Sequence, residues 1–210
     1  MFEIESLSTL HLTPYTSHLT PYTSHLTPYT SHLTPYTLHL QPYNTTMTRI
    51  IEYEPHHQPY FESLNRAWIE KYFQMEPRDE YILGKPDEAI LKKGGAILVA
   101  IHEDMVAGVV ALIKLNTNTY EFSKMGVHEN FRRKGIAEAL SHAAFQKVIS
   151  LNGEKIILFS NTKLQPAIQL YRKLGFREVP LDPLTEYRRS NIKMELDLRQ
   201  MSDRRSNDSS

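Results

Sequence analysis

Between residues 48 and 198 the apolar positions recur with two periods, and each change of period marks an element. Ile50 to Tyr53 reads as a short first strand. Tyr60 to Phe73 places its apolar residues on one face of an amphipathic helix, and Asp87 to Lys93 predicts a shorter helix stopped by Gly94 and Gly95. Ala96 to Ile101 and Val106 to Lys114 are apolar runs of strand length, with His102, Glu103 and Asp104 turning between them. Tyr120 to Val127 is rich in β-formers. Ile136, Leu140, Ala144 and Val148 then recur every four residues, which predicts a long helix from Lys134 to Ser150. Lys155 to Phe159 is an apolar strand. Gln165 to Leu174 is a helix with Pro166 in its first turn and Gly175 as its stop. Phe176 to Val179 and Ile192 to Leu196 close the sheet. Strands that are first antiparallel and then run β-α-β-α-β predict an α/β domain, a mixed central sheet of about six to seven strands with helices on both faces.

Outside that domain the pattern changes. Residues 11 to 45 repeat a seven-residue unit, His11-Leu-Thr-Pro-Tyr-Thr-Ser17 and its copies, inside a low-complexity leader of residues 1–47. A period of seven suggests a coiled coil, but Pro14, Pro21, Pro28, Pro35 and Pro42 each cost a helix roughly 3 kcal/mol. An extended, polyproline-like or disordered segment is expected instead. Three readings stay open: a translated DNA repeat with initiation at Met47, a passive tail, or a working segment. In the last, five histidines would bind a metal weakly or the Tyr-Pro units would dock a partner. Residues 199–210, polar throughout, are expected to be a second disordered tail.

Charge and composition narrow the function. The 24 basic and 24 acidic residues balance, so no global field directs the chain to nucleic acid or an anionic membrane. With no cysteine, disulfides, thiolate metal sites and a cysteine nucleophile are excluded. The first ten residues carry Glu3 and Glu5 and no base, unlike a secretory signal, and no apolar run reaches the roughly 18 residues that span a bilayer. A cytoplasmic protein is expected. His56, His57 and His128 lack partners at metal-ligand spacing, so no metal site is expected.

The segment with chemical content is Arg132-Arg133-Lys134-Gly135-Ile136-Ala137, a basic turn between a strand and a helix. The first amides of a helix and its dipole favour phosphate oxygens, and Gly135 lets backbone approach them closely. A solvated basic loop is the alternative. Arg132-x-x-Gly135-x-Ala137 matches the [QR]-x-x-G-x-[GA] signature of the GNAT superfamily of acetyltransferases, with Ala137 where glycine is commoner. Glu121 stands six residues before Val127, as in many members. Asn161 and the run Leu170-Tyr171-Arg172-Lys173-Leu174-Gly175-Phe176 resemble the family's second signature. The resemblance covers residues 48–198.

That resemblance implies a GNAT fold and direct transfer of an acetyl group from acetyl-CoA to an amine. It casts Glu121 as general base, directly or through water, and Tyr171 as the acid that protonates the departing thiolate. Both have plainer readings, a salt-bridged strand carboxylate and a core aromatic. Met125, Gly126 and Val127 would pair with the pantetheine arm and stabilise the oxyanion. Arg132, Arg133, Lys134, Gly135, Ile136 and Ala137 would hold the pyrophosphate, with one of the three bases expected to be merely solvated. Asn161 would hold pantetheine or cap the next helix. Trp68, Tyr72 and Phe73 belong either to the core or to the acceptor pocket that this helix walls in the family.

The acceptor is unread: a small amine, an amino acid, an antibiotic, or a protein N-terminus or lysine. The stretch Asp182 to Asn191, with Glu186, Tyr187, Arg188 and Arg189, is a candidate for setting it. A homodimer is open, since many members pair through their last strands. The rival function is a non-catalytic acyl-CoA sensor on the same fold.

Overall fold

A computed structural model describes residues 48–181 and 188–199. The leader repeat, Met47, the Asp182–Tyr187 part of the late loop and all of the tail beyond Arg199 lie outside the described residues.

Seven strands form one sheet. They are β1 (Arg49–Glu52), β2 (Ala96–His102), β3 (Met105–Lys114), β4 (Thr119–Val127), β5 (Lys155–Ser160), β6 (Arg177–Val179) and β7 (Ile192–Asp197). Their spatial order is β1-β2-β3-β4-β5-β7-β6. The first four are antiparallel neighbours, β4 and β5 are parallel, and β7 lies antiparallel between β5 and β6. The expected β-α-β-α-β run therefore holds in direction, with the last strand of the chain wedged between its final two.

Helices cover both faces, as the near-continuous burial of β2 and β3 requires. On one face α4 (Ile136–Ser150) and α5 (Gln165–Lys173) bury Ile136, Leu140, Phe145 and Ile168 against Val110, Leu112, Phe122 and Leu158. On the other, α1 (Gln58–Tyr72), α2 (Pro77–Gly84) and α3 (Pro86–Ala89) bury Phe61, Ile69, Ile82 and Leu83 against Ile97, Val99, Val109 and Ala111. Among the described residues no helix is long and apolar enough to cross a membrane.

Most elements shift by one or two residues from the expected boundaries, and three departures have a clear physical reason. The long helix begins at Ile136, because Arg133 and Gly135 both adopt left-handed backbone and hold the preceding segment out of it. The Asp87–Lys93 helix is split into α3 and a single tight turn, Leu91–Lys93, ended by Gly94 at φ 79°. Helix α2 was not expected at all. Its signal is Pro77 at the first position and a reciprocal Glu76–Asp79 cap, features of a helix start rather than of an apolar stripe.

Candidate active site

The site follows from one break in the sheet. β4 and β5 pair only over Thr119–Glu121 and Lys155–Ile157. Beyond these positions β5 continues against β7 and β4 against β3, so the two strands part. The gap is a cleft of about 690 Å³ lined by Phe122 to Val127 on one side and Phe159 to Asn161 on the other. Helix α1 closes it with Trp68, Tyr72 and Phe73, so these aromatics wall the cleft.

A bulge shapes the β4 side. Ala111 pairs with Ser123 and Val109 with Gly126, which sets Lys124 and Met125 together opposite Val110. Lys124 takes the extra place with φ 50°. Tyr120 and Phe122 pack toward α4 before the bulge, and Met125 and Val127 pack toward it afterwards. Gly126 faces α1 so closely that a Cβ there would sit 2.9 Å from the Leu64 carbonyl oxygen.

At one end of the cleft stands the basic turn. Gly135 precedes α4 at φ 76°, and a Cβ placed on it meets nothing within 4 Å. No side chain caps this helix, and its first internal bond is Ala139 N–H to the Gly135 carbonyl. The amides of Ile136, Ala137 and Glu138 therefore precede the helical ladder, at the positive end of the dipole. A smaller hollow of about 230 Å³ lies here, lined by Arg132, Arg133, Gly135, Ile136 and Ala137, and it shares Val127, Arg132 and Ala137 with the main cleft. An anionic diphosphate fits this turn. Lys134 lines neither space; its ammonium lies 5.1 Å from the Phe131 ring and 4.0 Å from Glu103.

Tyr171 reaches the cleft from α5. Its ring is set edge-on to Phe122 and Phe176, at 6.0 and 5.8 Å, and burial pushes its phenol up to about 12. Asn161 also lines the cleft, but its side chain is committed within the protein. Its Nδ2 donates to the Arg189 carbonyl at 2.6 Å, and its Oδ1 accepts from the Lys163 amide at 2.9 Å. It braces two loops rather than capping α5, whose N-cap is Leu164.

Glu121 is placed differently from the other expected residues. It is 2 % exposed, does not line the cleft, and lies 3.5 Å from the Arg78 guanidinium of α2. Alternation along β4 turns it to the face that α1 and α2 cover.

Beside it is a cluster that sequence reasoning did not find. The Asp79 carboxylate, fully buried, accepts from Lys124 Nζ at 2.8 Å, from Arg189 through two nitrogens at 2.6 and 2.8 Å, and from the Glu76 amide at 3.0 Å. Burial alone would raise its pKa. The Arg189 hydrogen bonds, then the charge and hydrogen bond of Lys124, outweigh that and hold it at about 2. Glu76 adds acceptors for the Arg188 and Arg189 amides. The guanidinium of Arg189 thus stands against Trp68 and Phe73, about 6.0 and 5.9 Å from their rings. Apart from Glu76 and Asp79, which cap one helix, these partners are 45 to 113 residues apart in the chain, so no local pattern announces them. Among the described residues no group of three or more His, Asp or Glu is placed to hold a metal ion.

Comparison with known proteins agrees with this geometry. The acetyltransferase (GNAT) domain family matches residues 93–178. N-acetylaspartate synthetase of Danio rerio is 34 % identical over 87 residues, which is 41 % of this chain and 31 % of that relative. The chain thus spans about a third of the length of the curated synthetases it matches. A GNAT-family acetyltransferase of Staphylococcus aureus Mu50 superposes with a TM-score of 0.66 at 21 % identity, covering 72 % of this chain and 99 % of that one. Spermidine N-acetyltransferase of Vibrio cholerae gives 0.58 at 19 %, covering 75 % and 97 %. At these identities the structural likeness is one of fold. Residues 93–178 thus match the model of the GNAT acetyltransferase domain, and the parted strands and basic turn lie on a fold shared with GNAT-family structures.

Proposed function

We propose that the chain is an N-acetyltransferase that moves an acetyl group from acetyl-CoA to an amine by direct attack. The observation that carries this reading is the parting of β4 from β5 immediately before the open Gly135 turn. It leaves a slot for an extended thioester arm that ends at an anion cradle. Acetyl-CoA, when bound, supplies the activated acyl group.

The chain's own groups do the rest. Arg132, Arg133 and the amides of Ile136 to Glu138 hold the diphosphate. Backbone of Met125 to Val127, left without a partner strand on the β5 side, pairs with the pantetheine arm and faces the oxyanion as it forms. Tyr171, with its phenol raised to about 12, stays protonated at neutral pH and donates a hydrogen bond to the departing sulfur. Complete proton transfer to a thiolate of pKa about 8.5 is uphill. Its hydroxyl therefore stabilises the thiolate first and relays a proton second. An alkyl amine must also lose a proton before attack. Glu121 is assigned as the receiving carboxylate, reached through water because it does not line the cleft.

The names of the relatives set out two acceptor chemistries of opposite charge, an amino dicarboxylate and a polyamine. An amine acceptor is what they share. The sensor reading has one observation in its favour, the absence of Glu121 from the cleft wall.

Calorimetric titration with acetyl-CoA, followed by CoA release in the presence of amine acceptors, tests the proposal. Tyr171→Phe is expected to lower kcat about 100-fold with acetyl-CoA affinity nearly unchanged. Glu121→Gln is expected to lower kcat/KM for the amine with acetyl-CoA affinity nearly unchanged. Binding without turnover on any amine would favour the sensor, and no binding by folded protein would sink both readings.

A further inference from the structure

We infer that the acceptor amine carries a carboxylate, and that Arg189 and Lys163 read it. The inference rests on the transferase reading above and concerns the opposite end of the same cleft from the Gly135 turn.

The first observation is the distribution of charge around that end. Lys124, Lys163 and Arg189 line the cleft, whereas Glu76, Asp79 and Glu121 do not. The carboxylates lie behind the cations that they hold. Asp79 is fully buried, while the Arg189 side chain, gripped by it, remains 13 % exposed. The Arg189–Asp79 pairing is therefore a dipole whose positive end faces the substrate space. Among the described residues Glu129 is the sole carboxylate in the lining, and it is three residues from Arg132 at the cradle end. Among the described residues a polycationic acceptor finds no carboxylate to pair with at that end.

The second observation is convergence. Lys163 Nζ lies 6.0 Å from the Phe73 ring, and the Arg189 guanidinium lies 5.9 Å from the same ring. A small molecule resting on Phe73 meets both. Neither cation borders the hollow at the Gly135 turn, so they are separate from the diphosphate cradle. Arg189 is positioned three ways: by Asp79 through its guanidinium, by Glu76 through its amide and by Asn161 through its carbonyl. A planar guanidinium fixed in this way recognises a carboxylate by shape as well as charge.

The experiment uses the full chain. CoA release is measured with L-aspartate and L-glutamate, with their α-carboxamides, with a diamide lacking any carboxylate, and with spermidine. The free acids are expected to exceed the diamide and spermidine at least tenfold in kcat/KM. Lys163→Gln, at an exposed position, and Arg189→Gln are each expected to raise the KM of the acid about tenfold and to leave the acetyl-CoA Kd within twofold. Equal or better turnover of diamide or spermidine overturns the inference. So does a rise in the Kd of acetyl-CoA that dephospho-CoA does not share, since the cations would then serve the 3′-phosphate. If no amine is turned over, titration of the CoA-bound protein with the same pairs is the readout, and equal or absent binding of the acids overturns the inference. Failure to bind acetyl-CoA removes the transferase reading itself, a result distinct from turnover without carboxylate preference.

Discussion

The two ends of the cleft are built from different materials. At the Gly135 turn the working groups are main-chain amides, fixed by two left-handed residues and open to solvent, within six consecutive positions. At the aromatic end they are long side chains: Lys124 and Arg189, held by one buried carboxylate on α2, and Lys163 beside the Phe73 ring. A main-chain site is insensitive to most substitutions and cannot easily change its ligand. A side-chain site depends on each member and can be respecified residue by residue. The contrast suits a fold that keeps its donor and varies its acceptor.

The largest expected effect comes from removing the carboxylate that holds the second end together. Asp79→Ala leaves Lys124 and Arg189 without their common partner, and breaking a buried pair in this way costs about 3–5 kcal/mol. Urea unfolding measures it, and a loss under 1 kcal/mol would show that the cluster adds little to the fold. The same carboxylate sharpens the comparison through pH. Its folded pKa of about 2 lies below the ordinary value of 3.8, so its contribution is full above about pH 4 and lost as pH falls toward 2. The shift corresponds to about 2 kcal/mol. The gap in urea midpoint between wild type and Asp79→Asn should therefore narrow steadily between pH 5 and pH 2.

At the first end Gly135→Glu is expected to weaken acetyl-CoA about 100-fold by placing a carboxylate in the cradle, the loss of more than one charged hydrogen bond. Gly135→Ala, which adds left-handed strain at φ 76° but no charge, should weaken it far less. Equal effects from the two would point to backbone strain as the cause. The smallest effect separates the basic residues: Arg132→Gln should weaken acetyl-CoA about tenfold, whereas Lys134→Gln, which faces Phe131 and Glu103, should change it less than twofold.

The same contrast decides what could be read from sequence. The cradle is contiguous, and its glycine, arginines and following helical period stand side by side, so both turn and helix were legible. So were the strands, whose apolar runs are bounded by turns. Tyr171 was found through a motif on one helix. At the aromatic end Arg189 and the α1 aromatics were candidates, but Asp79 and Lys124 were not legible, because they meet Arg189 only after the sheet has formed and α2 has docked on it. Helix α2 itself buries just Asp79, Ile82 and Leu83 in eight residues, too few to show a period. Glu121 shows the opposite limit. Its place in the motif was recognised, but the direction of its side chain depends on strand phase and on the docking of Arg78.

The extra residue at Lys124 has a consequence for how this protein can vary. Two residues of β4 stand there against one of β3, so the strand changes phase in mid-course. Deleting Lys124 would pair Met125 alone with Val110 and restore simple alternation, with Met125 and Val127 still toward α4 and Gly126 still against Leu64. The bulge can therefore be removed without exchanging the faces of the strand. What is lost is the ammonium that Asp79 accepts from and the extra bend that the bulge gives β4 beside the cleft. A chain lacking Lys124 should fold with reduced stability and bind acetyl-CoA less tightly than one carrying Lys124→Gln, which keeps the length of the strand.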